Sequence, residues 1–367
     1  MNIARSACET RVAQGLICPE CGFGRLLPMA EELICEGCSS RWPVVDGIPS
    51  FIGEFPYWGE IALEQVRRVN RDAATGNWKA ALLDIQDTEV QRASEMILNL
   101  DRANWQWLVN LPSEARVLDI GAGMGTNSHA LALHYREVVA LEPVWERIRF
   151  MQQRFQQEGL SNIDIVRSSI WKLPFGPDSF DLAVMNGVLE WVAEGQNGDP
   201  GELQEKALRS IHRLLRPDGY LYVGIENRAT LPYIVGYPDP HCGLPFTTVL
   251  PRPLASWRAK RKGLPHGYRN YLYSARGYRK LLQRAGFDRI EIYIAEPSYN
   301  HPRFFVPLRG NAFSYYSRHF NSGQSRWAWR LAYRMLLAAG LLKYLQYSYI
   351  ILARKPRPSK QSNAGAL

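Results

Sequence analysis

The chain has 367 residues, of which 46% are hydrophobic and 22% charged. At about 100–200 residues per domain this makes one large domain with a smaller one, or two domains. The composition excludes wholesale disorder. Net charge is +9 but uneven: from Arg228 onward 23 Lys/Arg face 4 Asp/Glu, a surplus of +19, whereas the first 227 residues carry −10. Such a surplus points to a partner of opposite sign (phosphate, nucleic acid or an anionic membrane surface) or to a solvated basic face. Residues 335–352 form the longest apolar run, and Lys343 interrupts it, which argues against a spanning helix. The opening MNIARSACETR has no apolar h-region, so no signal peptide is expected; the expected location is cytoplasmic, membrane-peripheral at most.

Six cysteines are present, and Cys8 and Cys242 stand alone. The other four form two CxxC pairs, Cys18/Cys21 and Cys35/Cys38, separated by 13 residues. Each pair can fold into a knuckle that turns both sulfurs to one point, and two knuckles supply the closed tetrathiolate set of structural Zn2+. A segment this short buries too little apolar surface to fold alone, so the metal would supply much of its stability. A redox CxxC needs a βαβ context that this Gly- and Pro-punctuated stretch lacks. Together with the phrase WPVVDGIP at 42–49, the cysteine pairs resemble the small zinc-ribbon family that includes the activator subunit of tRNA and release-factor methyltransferases. The resemblance covers residues 15–53 and implies a module that docks on a methyltransferase. Residues 1–55 are read as this ribbon.

Residues 56–112 are predicted helical from the spacing of Ile61, Val66 and Val69, then Ala81, Leu82 and Ile85, then Met96, Ile97 and Leu100, with Trp105, Trp107 and Leu108 after them. They form a connector, or a cap over the entrance of the next domain.

The run RVLDI (116–120) leads into a glycine turn, Gly121-Ala122-Gly123-Met124-Gly125, and a predicted helix over 126–135. Glycines let the backbone approach a ligand, and helix N-terminal amides face the turn. The spacing is GxGxG, not the GxGxxG of NAD folds. A second apolar run ends in Glu142, where a carboxylate at a strand tip can accept both hydroxyls of a ribose. Strands at 163–166, 180–186 and 220–225 come next, with one helix before them carrying Ile148, Met151 and Phe155 on one face and another at about 201–215. Alternation of this kind argues a parallel α/β sheet with its ligand at the carboxyl ends of the strands.

The segments VLDIGAGMG, ALEP, KLPF…SFDLAVMNGVLEWV and LLRPDGYLYVGIEN, in that order, resemble class I S-adenosylmethionine-dependent methyltransferases over residues 113–227, and less closely over 274–355. The implied fold is α/β: a Rossmann-like seven-stranded sheet, mostly parallel with the last strand antiparallel, beside the small β zinc ribbon and helical insertions. The implied domain is 113–355, with insertions at 228–273 and 298–345 and a tail at 356–367. By this likeness Asp119, Gly121, Ala122 and Gly123 border the amino-acid end of S-adenosyl-L-methionine, Glu142 holds the ribose, Ser169 and Ile170 flank adenine, and Asn186 lies near the methionine end. The chain departs from the pattern twice. Many relatives carry Asp where Ser169 stands and His where Trp191 stands, so a catalytic His is not carried over from there.

Strand six is expected over 290–294 and an antiparallel strand seven over 347–354, with a helix ending at Gly286. The insertions are where an acceptor site is expected. The first holds His241, Trp257 with Arg258, Lys260, Arg261 and Lys262, and the tyrosines Tyr268, Tyr271 and Tyr273. The second holds Arg326, Arg330 and Arg334 in one stripe with Trp327, Leu331, Met335 and Leu342 elsewhere, which fits an anionic membrane surface or a packed lid with a solvated face. The first insertion loosely resembles bacterial methyltransferases of glycan and cell-surface polysaccharide pathways. His241 is the first candidate general base, with Glu226, Asp239 and His266 behind it. The expected activity is methyl transfer to an oxygen of a small or glycan-linked acceptor, phosphorylated or not. The alternatives are an RNA (tRNA or rRNA) methyltransferase and a non-catalytic protein that binds a partner.

Overall fold

Short apolar runs with β-branched residues, each closed by a polar or glycine turn, build a sheet wherever helices can cover both of its faces. In the computed structural model, which describes residues 15–57, 59, 61–85, 88–320 and 327–358, they do so here. Cys8, Arg326 and residues 359–367 lie outside the described residues, as do the side chains of Trp327, Arg330 and Leu331.

The chain begins with a four-stranded antiparallel sheet of β1 (Leu26–Met29), β2 (Glu32–Cys35), β3 (Arg41–Val45) and β4 (Ile48–Pro49). Three helices come after it: α1 (Leu63–Thr75), α2 (Trp78–Leu83) and α3 (Thr88–Leu98), then a 3-10 segment at Leu100–Leu108. The expected apolar positions Ile61, Val66, Val69, Ala81, Leu82 and Ile85 are buried together with Met124 and Phe150. These helices therefore pack on the glycine turn and on the helix after the second strand of the main sheet. Trp107 is exposed, against its apolar character.

The main sheet is built from β5 (Arg116–Ile120), α4 (Thr126–Ala132), β6 (Glu137–Glu142), α5 (Trp145–Gln157), β7 (Ile163–Arg167), β8 (Phe180–Asn186), α6 (Pro200–Leu214) and β9 (Leu215–Glu226). The remaining elements are α7 (Leu231–Ile234), α8 (Arg252–Arg261), α9 (Ala275–Arg284), β10 (Asp288–Glu296), β11 (Phe304–Pro307), α10 (Ala312–His319), α11 (Trp327–Ala338) and β12 (Ser348–Arg354). The strand order is β11-β10-β12-β9-β8-β5-β6-β7. Strands β7, β6, β5, β8 and β9 run parallel, and β12 is antiparallel to both β9 and β10. All seven expected strands are present. An eighth, β11, pairs antiparallel with the outer edge of β10. It escaped the sequence because it is four residues inside an insertion and ends in Pro307, which reads as loop.

Helix α6 shows how local chemistry sets these boundaries. Asp199 Oδ1 accepts from the Gly201 and Glu202 amides at 2.8 and 3.1 Å, and Pro200 opens the first turn. Its inward face, Ala207, Leu208, Ile211 and Leu214, is fully buried, which stabilises by about 1.5–3 kcal/mol for each large aliphatic side chain. Among the described residues no helix is long and apolar enough to cross a membrane.

The small sheet docks on the free edge of the large one. Ser50 forms a parallel bridge with Arg167 at the end of β7. The buried Arg167 guanidinium donates to Ser50 Oγ and to the carbonyls of Ile52 and Gly53 at 2.7–2.9 Å. Lys172 lies over the Trp42 ring and pairs with Glu20.

Candidate functional site

The turn after β5 is the first part of the site. Gly121 and Gly125 have φ of +67° and +77°, which L side chains rarely adopt. A Cβ at Gly121 would come within 2.8 Å of Val188, and one at Gly125 within 2.7 Å of the Phe155 ring. Ala122 and Gly123 lie between them, half-buried. Two carboxylates flank the turn. Asp119, in register with Ala140 on β6, is 1% exposed and accepts from Ser128 Oγ at 2.6 Å; burial pushes its pKa up to about 6. Glu142, at the tip of β6, is equally buried and accepts from the Gly123 and Val144 amides at 2.8 and 3.1 Å. A glycine turn between carboxylates on neighbouring strand tips is a donor set suited to a ligand with a cationic head and a diol.

Ser169 and Ile170 are half-buried in the loop after β7. Ser169 Oγ accepts from the Trp171 amide at 3.3 Å. Asn186, at the end of β8, donates from Nδ2 to Tyr222 Oη at 2.8 Å and accepts at Oδ1 from Arg102 Nε and Nη2 at 2.9 and 2.7 Å. Arg102 was not read from the sequence. It reaches across from the 3-10 segment before β5, and its charge also acts on Asp119, drawing that carboxyl's pKa down against the larger effect of burial. Trp105, three residues on, stacks on Tyr222 at 3.7 Å.

The helical cap is held on the turn by a buried arginine. Arg154 of α5 donates to the carbonyls of Ile97 and Met124 and to Thr126 Oγ1 at 3.1–3.3 Å, and to His129 Nδ1 at 3.1 Å. The Trp78 ring covers its guanidinium at 4.4 Å.

The second part of the site gathers around His241 from the first insertion. His241 Nδ1 lies 2.7 Å from Asp239 Oδ1, and its Nε2 lies 3.8 Å from both Glu190 Oε1 and Glu226 Oε2. Burial works to lower the His241 pKa, but the Asp239 hydrogen bond, Glu190 and Glu226 hold it up to about 11. Burial raises Glu226 to about 7, and Tyr299 Oη donates to its Oε1 at 3.0 Å. Three of the four acid–base candidates therefore meet: His241, Glu226 and Asp239. His266 is exposed. Glu190 was missed, although it sits beside Trp191 in the segment just after β8. Trp191 itself packs edge-on against His241, ring centroids 5.1 Å apart. The two parts meet at the ends of β8 and β9, where Asn186 pairs in register with Gly224.

In the small sheet Cys18, Cys21, Cys35 and Cys38 converge, with all four sulfurs within 4.8 Å of one another. The Gly24 and Gly37 amides donate to Cys21 and Cys35 Sγ, each at 3.3 Å, as thiolates in knuckles require.

Comparison with known proteins agrees with this geometry. Residues 118–223 match the family model described as a methyltransferase domain. The chain is 28% identical over 107 residues to the uncharacterized methyltransferase YcgJ of Bacillus subtilis, covering 29% of this chain and 39% of YcgJ. It is 31% identical over 108 residues to the demethylmenaquinone methyltransferase of Clavibacter sepedonicus, covering 29% and 40%. The matches thus span less than half the length of either curated relative. Among solved structures, the complex between the Haloferax volcanii Trm112 methyltransferase activator and the putative methyltransferase aligns at TM-score 0.43 and 14% identity, over 73% of this chain and 94% of that one. The segment 118–223, which carries the glycine turn and the Asp119–Glu142 pair, is thus similar to a methyltransferase domain.

Proposed function

We propose that the protein transfers a methyl group from S-adenosyl-L-methionine to an oxygen of a small or glycan-linked acceptor. The observation that carries this is the adjacency of the glycine turn, flanked by buried Asp119 and Glu142, and the His241 cluster one strand away.

When bound, S-adenosyl-L-methionine supplies a methyl group on a sulfonium, open to in-line attack. In this reading Asp119 and Arg102 hold the ammonium and carboxylate of its amino-acid end, with Gly121, Ala122 and Gly123 giving it room. Glu142 holds the ribose hydroxyls, Ser169 and Ile170 flank adenine, and Asn186 lies beside the methionine chain. The helices over 61–108 shut water out of the turn, and an aromatic wall of buried Tyr222 and Tyr299 with half-buried Trp191 orients the acceptor. Such positioning is the largest contribution a protein makes to this chemistry. His241, with Asp239 fixing its ring through Nδ1, is the catalytic residue at the acceptor's reacting end.

Cys18, Cys21, Cys35 and Cys38 are proposed to hold one structural Zn2+. Its role is to keep the small sheet folded against β7 and the loop that carries Ser169. All four sulfurs are committed, so this site takes no part in the reaction.

The test is a methyl-transfer assay with labelled S-adenosylmethionine against three acceptor classes: sugars and sugar phosphates, phenolic metabolites, and bulk tRNA and rRNA. Label on a hydroxyl of the first two supports the reading. Label on RNA alone replaces it with the RNA reading, for which the +19 C-terminal surplus speaks.

A further inference from the structure

We propose that Glu190, Glu226 and His241 form a binding site for a divalent transition-metal ion, separate from the four-cysteine site. Each of the three offers one ligand atom, and these atoms lie within 4.8 Å of one another. The side chains are 1%, 6% and 5% exposed, so the cluster is walled off from bulk water. Two of its oxygens, Glu190 Oε2 and Glu226 Oε2, are buried with no hydrogen-bond partner. Buried polar atoms are normally satisfied, and a carboxylate oxygen left bare in such a place is waiting for a donor or a cation.

The imidazole is set for ligation. Asp239 Oδ1, 2.7 Å from Nδ1, fixes the ring plane and points Nε2 between the two glutamates, where an ion would take the place of the Nε2 proton. A carboxylate behind a histidine is the usual support of a metal-binding imidazole. Charge balance points the same way. Three carboxyl groups, Glu190, Glu226 and Asp239, share one imidazole, and a divalent ion supplies the missing positive charge.

The donor set is one nitrogen and two carboxylates. It suits Zn2+, Mn2+ or Fe2+ and offers nothing to a soft ion. Donors about 2.1 Å from a common tetrahedral ion sit about 3.4 Å apart; the two His241–glutamate separations of 3.8 Å need to close by a few tenths of an ångström, and the glutamate oxygens, within 4.8 Å of each other, draw together on the ion by side-chain rotation. Three protein donors leave coordination positions open, unlike the closed tetrathiolate set. One consequence rests on the methyltransferase reading: an acceptor hydroxyl in an open position would be acidified and pass its proton to a Glu190 or Glu226 oxygen not engaged by the ion, so His241 would act on the acceptor through the ion rather than by taking its proton directly.

The experiment titrates Mn2+ into the full-length zinc-loaded protein and monitors free Mn2+ by electron paramagnetic resonance. Mn2+ is chosen because thiolates bind it poorly. One Mn2+ per chain is expected, unchanged in Cys38→Ser and weakened at least 10-fold in both Glu190→Gln and His241→Ala, with Asp239→Asn weakening it less. Far-UV circular dichroism and S-adenosylmethionine binding verify that each variant folds. Absence of tight Mn2+ binding, or binding that survives in the Glu190 and His241 variants, overturns the site. Mn2+ binding without S-adenosylmethionine binding upholds the site and removes the methyltransferase reading instead.

Discussion

The Gly123 amide donates to Glu142 Oε2 at 2.8 Å, so the turn after β5 is tied to the tip of β6 by the same carboxylate that a ribose would engage. Because the Val144 amide holds the other oxygen, the carboxylate is aimed before any ligand arrives. Such preorganisation lowers the cost of binding. Glu142→Ala removes charge-assisted hydrogen bonds of about 1.5–3 kcal/mol, which predicts S-adenosylmethionine affinity weaker by about 10–100-fold. Titration calorimetry reads this directly, and an unchanged Kd would take Glu142 out of the site.

Arg102 makes two hydrogen bonds to Asn186 and comes from a segment outside the family-matched region. Arg102→Lys keeps the charge but cannot reproduce a planar two-donor contact. Affinity for S-adenosylmethionine should fall about 10-fold in Arg102→Ala and by an intermediate amount in Arg102→Lys. Equal affinity in all three proteins would confine Arg102 to packing.

Arg154 is fully buried and satisfies oxygens of Ile97, Met124 and Thr126 at once. Arg154→Met keeps comparable bulk but strands those oxygens, so it should cost about 2–4 kcal/mol of stability. The urea midpoint checks this, and a shift equivalent to under about 0.5 kcal/mol would show that the cap does not depend on it.

His129 gives a pH dependence of defined sign. Burial, then the neighbouring Arg154 charge, lowers its pKa from 6.5 to about 4, with Lys79 acting in the same direction and Glu158 opposing. The unfolded chain therefore binds more protons between pH 6.5 and 4. Stability contributed by keeping this imidazole neutral is present above pH 6.5 and is lost as pH falls toward 4. The loss is about 2–3 kcal/mol by linkage. Asp119 and Glu226, whose pKa values are raised, change stability the opposite way in an overlapping range, so the effect is read as a difference. Chemical denaturation at pH 4.5 and 7 should show a smaller acid loss in His129→Asn than in the wild-type chain; identical losses would refute the assignment.

Cys35 is buried, with Cys18, in the thiolate cluster. Cys35→Ser should lower bound zinc from one equivalent to near zero and expose the small sheet to protease, while β5–β9 retain their structure. Elemental analysis and limited proteolysis check both. Full zinc retention in the variant would exclude the four-cysteine site as its holder.

The strands and the glycine turn could be read from the sequence because their signals are local: an apolar run, a glycine spacing, an acid at a strand tip. The cysteine pairs announced themselves by spacing alone. Arg102, Arg154, Arg167 and Glu190 could not be read that way. Each acts on groups far away in the chain, and an arginine or glutamate among so many charged residues carries no periodic mark. His241 was legible as a loop histidine with Asp239 two residues before it, but Glu190 and Glu226 come from the ends of β8 and β9 and are joined to it only by the fold.

The central claim is that the turn at 121–125 receives S-adenosyl-L-methionine, and calorimetric titration of the full-length protein with that compound tests it most directly. The account predicts saturable binding of one equivalent, competed by S-adenosylhomocysteine, weakened in Glu142→Ala and indifferent to NAD. No binding of S-adenosylmethionine by folded protein, or displacement of it by NAD, would contradict the account.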